Sequence, residues 1–553
     1  MRVWDSDPLI KNASGHFTDD GNITNVNHDM LVAGIGIDFP TRRRSKFAGK
    51  ISKLCRRDDT FDMEVFVNES IANCPKYINA RDLIPHPNTV PRVKYRQLHL
   101  SLEDQLPKGV VDFIQKADTV FFGTTYASTT EKDMYPSHVG MNQRGGRPGF
   151  VRVSSKDKRT VILPDYSGNR IMTSLGNIEA TPLASLSFVS FESGDVLYLT
   201  GTAENLYGAE ARNIMMLQNR LTKIYVTGFV YVEDALTVRQ RPGILPERSP
   251  YSPPIKFLIE ECSNLKLFDE EDSVKAVLSS VDLHSENVAT FTWESSKELG
   301  INPGQAIILD LAPFLGTARY QHMAPRKPSS VNDNHIRTWT VSSAHPMSAT
   351  RTFSLTVKLR PGGLATGALF SIAHKLAELK PELLTDSRPL ELGVRILGVT
   401  GEFGLPDIQA KPDGSRKCLW IAGGIGITPF LSMLRGIGRN KTRWDIIFII
   451  STREPDVFIS IISSIWKQLV TENAQRIVFR VTLFSNQNPA STGSFKLDHR
   501  RRRLSAEFFV KEPSLSDAGE RDVLICGTPE FEQVAISGLG EIGVSPDSIR
   551  REK

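Results

Sequence analysis

The chain has 553 residues, well beyond the ~250 residues at which one hydrophobic core stops growing, so several domains are expected. Hydrophobic residues at 40% and charged residues at 23% exclude wholesale disorder and collagen-like or mucin-like classes, and 40 Gly with 32 Pro point to many turns and linkers. A formal charge of +5 over so large a surface does not single out an acidic or nucleic-acid partner.

The first thirty residues or so are polar with little periodicity. Two segments follow, IDFPTRRRSKFAGK and NCPKYINARDL, before a soft boundary at Pro85 to Pro91. The basic runs Arg42 to Arg44 and Arg500 to Arg503 lack a periodic basic helix or an aromatic ladder. Each reads as a solvated face or as local recognition of a small phosphate, and no nucleic-acid partner is expected. From 93 to 237, β-rich runs such as GFVRV, TVILP, LSFVSF and DVLYLTG alternate with Gly, Asp and Asn turns, predicting a barrel or sandwich. In LPDYSGNRIMTSLGNI, a turn at Gly168 places Asn169 and Arg170 just before a predicted helix, where a phosphate can be gripped. Arg147 and Arg152 either add positive charge across a strand pair or face solvent.

Five prolines between Arg239 and Ile255 preclude a helix or central strand and mark the main linker, 238 to 254. From 255 to 410, FTWES, AIILDLA, TWTVSS and FSLTVKL predict a second, mainly antiparallel barrel. After a boundary at Lys411 to Arg416, the strands CLWIAGG, DIIFIIS, VFRVTLF and DVLICG alternate with helical segments near 429 to 438, 457 to 470 and 529 to 539. That alternation predicts a parallel α/β sheet over 415 to 553, with its ligand at the carboxyl ends of the strands. The fold class is therefore multidomain β plus α/β.

IAGGIGITPFLSML sets Gly423, Gly424 and Gly426 between an apolar strand and an amphipathic helix, where glycine lets backbone approach a pyrophosphate and the helix start offers free N–H groups. Thr428 either donates to the ligand or caps the helix. CGTPEF brings Cys526, Gly527 and Thr528 to a second carboxyl-end loop. Cys526 reads more readily as a small buried hydrophobe than as a nucleophile. The five cysteines, 55, 74, 262, 418 and 526, show neither CxxC pairs nor Cys/His zinc spacing, so no metal site is expected. No apolar run is long enough for a membrane span and no signal peptide is evident, so the expected location is cytoplasmic.

With Arg337, Thr338, Trp339 and Thr340 placed ahead of that glycine-rich turn, the stretch from about 255 to 550 resembles the ferredoxin-NADP reductase family, whose flavin motif is Arg, any residue, an aromatic, then Ser or Thr. Trp stands here for the commoner Tyr. The resemblance implies that Arg337 pairs with the FAD pyrophosphate, Trp339 packs on the flavin and Thr340 hydrogen-bonds near its redox-active nitrogen. It implies that Gly363, Thr366 and Gly367 of RPGGLATGAL lie under the flavin phosphates, and that the Thr428 and Cys526 to Thr528 loops hold the nicotinamide of NAD(P)H. Thr340 and Cys526 are then the catalytic candidates. Arg453, after DIIFIIS, either reads a 2′-phosphate or holds a surface loop, which leaves NADH and NADPH open.

The region from about 95 to 237 resembles the FMN-binding split barrel of the pyridoxamine phosphate oxidase-like group, on RGGRPGFVRV, LPDYSGNRIMTSLGNI and GDVLYLTGTAE. This implies FMN at Asn169 and Arg170, or a silent dimerisation scaffold giving a homodimer. The segments within 1 to 85 resemble the closing part of a related split barrel, which is either abbreviated or has lost its start from this sequence. Fused relatives continue into an iron-sulfur domain, which this chain, ending at Lys553, is expected to lack, so its electron acceptor or small-molecule substrate is expected to lie elsewhere. The implied activity is hydride transfer from NAD(P)H to FAD. The alternatives are a flavin-holding scaffold without turnover and a flavoprotein oxidising a specific organic substrate.

Overall fold

The structure, a computed structural model, describes residues 30–57, 60–71, 74–128, 135–262, 265–268, 273–316, 319–345, 349–405, 415–437, 442–473, 476–490 and 493–552. The polar lead and most of the expected boundary at Lys411 to Arg416 lie outside the described residues. The chain forms two compact units, Met1–Cys262 with Arg319–Asp333, and Ser263–Ala318 with Asn334–Lys553.

In the first unit, Leu31–Asp38, Arg43–Arg57 and Thr60–Ile71 form a three-stranded antiparallel sheet. A larger antiparallel sheet runs in the order His138–Gly145, Thr119–Tyr126, Leu183–Val189, Val196–Tyr207, Arg220–Glu233, Thr160–Pro164 and Arg152–Val153, with Arg92–Gln97 also pairing to Arg220–Glu233. Leu183–Val189 alternates half-buried and buried residues, as expected of a strand with one face on the core. Ala184, Leu186 and Phe188 join Val120, Phe122, Leu197, Leu199 and Phe229 there. In the proline-rich linker, only Val238–Gln240 pairs as a strand, with Leu83–Pro85, consistent with the breaking power of its prolines.

The second unit begins with an antiparallel sheet ordered Ile336–Thr340, Ala306–Asp310, Gly393–Thr400, Lys275–Leu283, Val288–Leu299 and Thr350–Lys358. Helix Leu364–Leu379 buries Ala365, Leu369, Phe370 and Ala373 against it. The parallel sheet follows, ordered Lys496–Arg500, Ile477–Phe484, Arg443–Ser451, Ser415–Gly423, Asp522–Cys526 and Ile549–Arg551. Its strands are apolar on both faces because helices cover both. Cys418, Trp420 and Ala422 meet helices Thr428–Gly436 and Pro455–Asn473 on one side. Leu419 and Ile421 meet Ala506–Lys511 and Pro529–Glu541 on the other. The strand order reverses at Ser415–Gly423, which puts a topological switch point between it and Asp522–Cys526.

Within this unit the two sheets are joined by polar contacts. Gly304 N–H donates to Ser432 Oγ at 2.8 Å, Arg435 Nη1 donates to the Ser342 carbonyl at 2.7 Å, and Glu454 accepts from both Ser285 and Lys358. Burial drives the Arg435 guanidinium down to about 10.

Candidate functional site

At the switch point, Gly423 ends its strand, Gly424 adopts φ +55°, and the backbone passes through a short 3₁₀ turn into helix Thr428–Gly436. A Cβ on Gly424 would meet nothing within 4 Å, so glycine is required there by the left-handed backbone alone. Its neighbours are glycine for a different reason. A Cβ on Gly426 would lie 2.5 Å from the Cys526 carbonyl oxygen and 3.0 Å from its sulfur, and one on Gly423 would lie 2.7 Å from the Phe531 ring. Gly527 is likewise closed off by Phe531, at 2.5 Å. The two glycine-bearing loops therefore pack directly on one another, a requirement independent of any pyrophosphate.

Thr428 Oγ1 donates to the Ile425 carbonyl at 3.2 Å, and as the first helical residue it is not the cap. Thr528 does cap, accepting from Phe531 N–H at 3.4 Å at the start of Pro529–Glu541. Arg453, just beyond Ser451, is exposed. Phe403 is buried and edge-on to Phe430, a core contact.

Strand Ile336–Thr340 pairs with Ala306–Asp310, setting Arg337 opposite Leu309 and Trp339 opposite Ile307. Two residues apart, Arg337 and Trp339 share a face of the sheet. Arg337 Nη1 donates to the Ile336 carbonyl at 2.8 Å, and Trp339 packs partly buried on the core. Gly363 precedes helix Leu364–Leu379 as its cap, Thr366 Oγ1 accepts from Arg360 N–H at 3.1 Å, and the space beside Gly367 is open.

Thr340 and Cys526, which come from the two different sheets, meet at Glu552. The Thr340 hydroxyl donates to one carboxylate oxygen and the Cys526 thiol donates to the other, at 2.8 Å. Cys526 is only 6% exposed, and burial first, then the Glu552 carboxylate, push its thiol far above the usual range. It is a hydrogen-bond donor and no nucleophile. Burial also raises Glu532 nearby. Sequence reasoning missed Glu552, since no motif surrounds it. What places it is the terminal strand Ile549–Arg551, parallel to Asp522–Cys526.

The first unit holds a cavity of about 210 Å³. Its wall carries the cations Arg44, Lys46, Lys76, Arg144, Arg170 and Arg220 against the single carboxylate Asp165. Asn169 and Arg170 both line it, whereas Arg152 is paired with Glu261 and Arg147 is not in the wall. Lys76 is 3% exposed, and among the described residues its ammonium donates to the carbonyl oxygens of Gly168, at 3.1 Å, and His322, at 2.6 Å. Arg44 Nη1 is buried without a hydrogen-bond partner among the described residues. Lys46 donates to Asn142 Oδ1 at 3.2 Å and is lowered to about 8, by burial first and then by Arg44 and Arg144, with Glu69 opposing. Arg144 and Arg220 share Asp165, at 3.5 and 3.4 Å, and Arg170 is exposed, which leaves Arg44, Lys46 and the buried Lys76 as the cations that an anion in the cavity would stabilise. The contribution of Arg44 was legible only as the phosphate-recognition option for the basic run Arg42 to Arg44, and that of Lys46, Lys76, Arg144 and Arg220 had no sequence signal.

Among the described residues no helix is long and apolar enough to cross a membrane. Glycine betaine monooxygenase reductase subunits of Pseudomonas aeruginosa and Chromohalobacter salexigens are each 30% identical to this chain over 120 residues, which is 22% of this chain and 27% of theirs. The matched stretch thus spans about a quarter of the length of these curated relatives. Among solved structures, the FAD/NAD-binding domain of nitric oxide dioxygenase from Vibrio cholerae is 17% identical, covering 51% of this chain and 98% of that one with a TM-score of 0.34. A ferredoxin NADP+ reductase from Neisseria gonorrhoeae is 16% identical, covering 51% and 97% with a TM-score of 0.31. The oxidoreductase NAD-binding domain family matches residues 420–536, the segment that carries both glycine-bearing loops of the switch point.

Proposed function

We propose that this chain is a flavin-dependent oxidoreductase that takes reducing equivalents from NAD(P)H into bound FAD and passes electrons to a separate acceptor in the cytoplasm. The observation carrying this reading is the convergence of Thr340 and Cys526 on Glu552 beside the switch point of a segment matched by an NAD-binding family. In such a pair of cofactors the nicotinamide supplies a hydride and the flavin accepts it, releasing electrons singly or in pairs.

The residues present fit both groups. Arg337, Trp339 and the helix start at Gly363, Thr366 and Gly367 would hold FAD, with open space beside Gly367. Gly424, Thr428, Gly527 and Thr528 would hold the nicotinamide nucleotide, and Arg453 would lie toward its adenosine end. Thr340 presents a hydroxyl whose proton is already directed at a carboxylate, so Glu552 can take up or return a proton without moving Thr340. Cys526 fixes the other oxygen of that carboxylate. We read 255–410 as a closed FAD barrel and 415–553 as the nicotinamide-binding domain.

Denatured protein should release FAD, identified by chromatography; absence of FAD would contradict the reading. Arg337→Ala should weaken FAD retention by about tenfold or more, the loss of one charge-assisted phosphate contact, as measured by flavin remaining after gel filtration.

For residues 93–237 we propose an FMN-binding split barrel, with the region before it completing the wall and a homodimer as its assembly. The charge of the cavity supports this. Its volume, below the ~300 Å³ of usual ligand pockets, suits the phosphate-bearing end of FMN with the ring extending outward. Arg170→Ala should lower FMN affinity and leave the FAD content of the FMN-free chain unchanged. Lys46 gives a pH signature. With its folded value below the ordinary 10.5, its charge opposes folding at neutral pH, and that penalty fades as pH rises through about 8. Phosphate should therefore raise the melting temperature at pH 7 and do so progressively less above pH 8, as Lys46 loses its charge.

A further inference from the structure

One feature of the cationic cavity comes from far along the sequence. Residues 319–333 belong to the first unit although the segments before and after them, Ser263–Ala318 and Asn334–Lys553, belong to the second. Within the first unit this arm is bound tightly to the cavity wall. Tyr320 lines the cavity, its hydroxyl donates to the Gly168 carbonyl at 3.0 Å, and the Arg170 guanidinium lies 3.6 Å over its ring. Arg170 holds a left-handed φ of +66°, a conformation that a residue with a side chain rarely keeps without surrounding support. His322 contributes its carbonyl to the buried Lys76 ammonium. Asn332 is satisfied on both sides of its amide: Oδ1 accepts from Ser167 N–H at 3.0 Å, and Nδ2 donates to Tyr77 Oη at 2.9 Å and to the Tyr251 carbonyl at 3.0 Å. Tyr77 in turn donates to the Ser167 carbonyl at 2.6 Å.

The loop Ser167 to Arg170 is therefore held by the arm at nearly every residue, and it is the loop expected to grip a phosphate. An anion that draws Arg170 or Lys76 toward itself must act on Tyr320, His322 and Asn332 as well.

Only Asp333 and Asn334 lie between Asn332 and His335 in the sequence. In the second unit His335 is fixed: it is buried with φ +62°, its Nδ1 is 2.8 Å from the Gly316 carbonyl, and its own carbonyl accepts from Leu311 N–H at 3.1 Å. The next residues are strand Ile336–Thr340, with Arg337 and Trp339 on it. Each end of this two-residue link is thus held by contacts within its own unit.

We propose that residues 319–333 form a coupling arm, through which binding of a phosphate ester in the N-terminal cavity strengthens retention of FAD at the Arg337 strand. This rests on reading the cavity as an FMN site and Arg337 as an FAD contact. By linkage the effect is reciprocal, so bound FAD strengthens phosphate-ester binding by the same factor.

The test uses the full chain loaded with FAD, FMN as the cavity probe, and three variants. FMN binding is followed by fluorescence quenching, and FAD release is timed after dilution with and without saturating FMN. In the native chain FMN should bind at one per chain and slow FAD release by about fivefold, at the low end of usual coupling factors. Tyr320→Ala should weaken FMN binding by about threefold through loss of the stacked ring, while Tyr320→Phe, which keeps the ring, should restore it. A Gly-Gly insertion between Asp333 and Asn334 should make FAD release indifferent to FMN and, by the same reciprocity, lower the FMN affinity of the FAD-loaded chain by about fivefold, to that of the chain without FAD. If the native chain binds no FMN, the cavity reading fails and the coupling with it. If FMN binds but FAD release is unchanged, or if the insertion retains the full effect, the cavity reading stands and the arm does not couple the sites.

Discussion

Gly426→Ala should slow NAD(P)H-driven flavin reduction by about a hundredfold while leaving the chain folded and its FAD bound. The added methyl would sit 2.5 Å from the Cys526 carbonyl oxygen, 2.7 Å from its carbon and 3.0 Å from its sulfur. All three belong to Cys526, and two are backbone, so the two loops of the switch point must part. Overpacking of this kind costs about 1–3 kcal/mol, which a domain with so large a core can tolerate. The functional cost is larger because the displaced group is Cys526, the donor that fixes one oxygen of Glu552. Stopped-flow reduction of the bound flavin, with a thermal melt as control, measures both effects. A variant with normal reduction kinetics would mean that the loop spacing does not matter to the chemistry.

Glu552→Gln should have a comparable effect on rate by another route. The amide nearly preserves the shape of the carboxylate, and one oxygen can still accept a hydrogen bond, but the charge that orders the Thr340 hydroxyl and the Cys526 thiol is gone and no proton can be taken up. Loss of a positioned acid or base typically costs ~10²–10⁴-fold. The FAD content should be unchanged, since Glu552 is not among the residues proposed to hold its phosphates. Cys526→Ser, which keeps a donor at the same place, should cost far less. If Cys526→Ser were the more damaging substitution, the thiol would have a role beyond hydrogen bonding, contrary to its burial and its raised pKa.

The C-terminal sheet was legible in the sequence because burial on both faces forces near-continuous apolar strands, and the glycine-rich turn announces where the order reverses. Even there the physical reason differed in part. Gly423 and Gly426 are needed for packing against Phe531 and Cys526, a contact made across the fold that local patterning does not reveal. Of the two roles left open for Thr428, the structure excludes the cap, since Thr428 is already helical, whereas Thr528 caps its own helix. Glu552 was illegible because its position depends on a three-residue strand added at the sheet edge. In the first unit Asn169 and Arg170 were found from their turn, but their neighbours in the cavity come from strands and an arm distant in sequence. A lone Lys46 or Lys76 looks like any surface lysine until the fold surrounds it with other cations. Arg152 looked equally basic, and its bidentate pairing with Glu261 removes it from that set.

Anaerobic titration of the purified full-length chain with NADH and NADPH, recording the absorbance of bound flavin, tests the central claim most directly. At least one of the two nicotinamides should bleach the FAD at one equivalent per flavin, and Gly426→Ala and Glu552→Gln should slow the bleaching without shifting its endpoint. Bound FAD left fully oxidised by excess NADH and excess NADPH alike would contradict it.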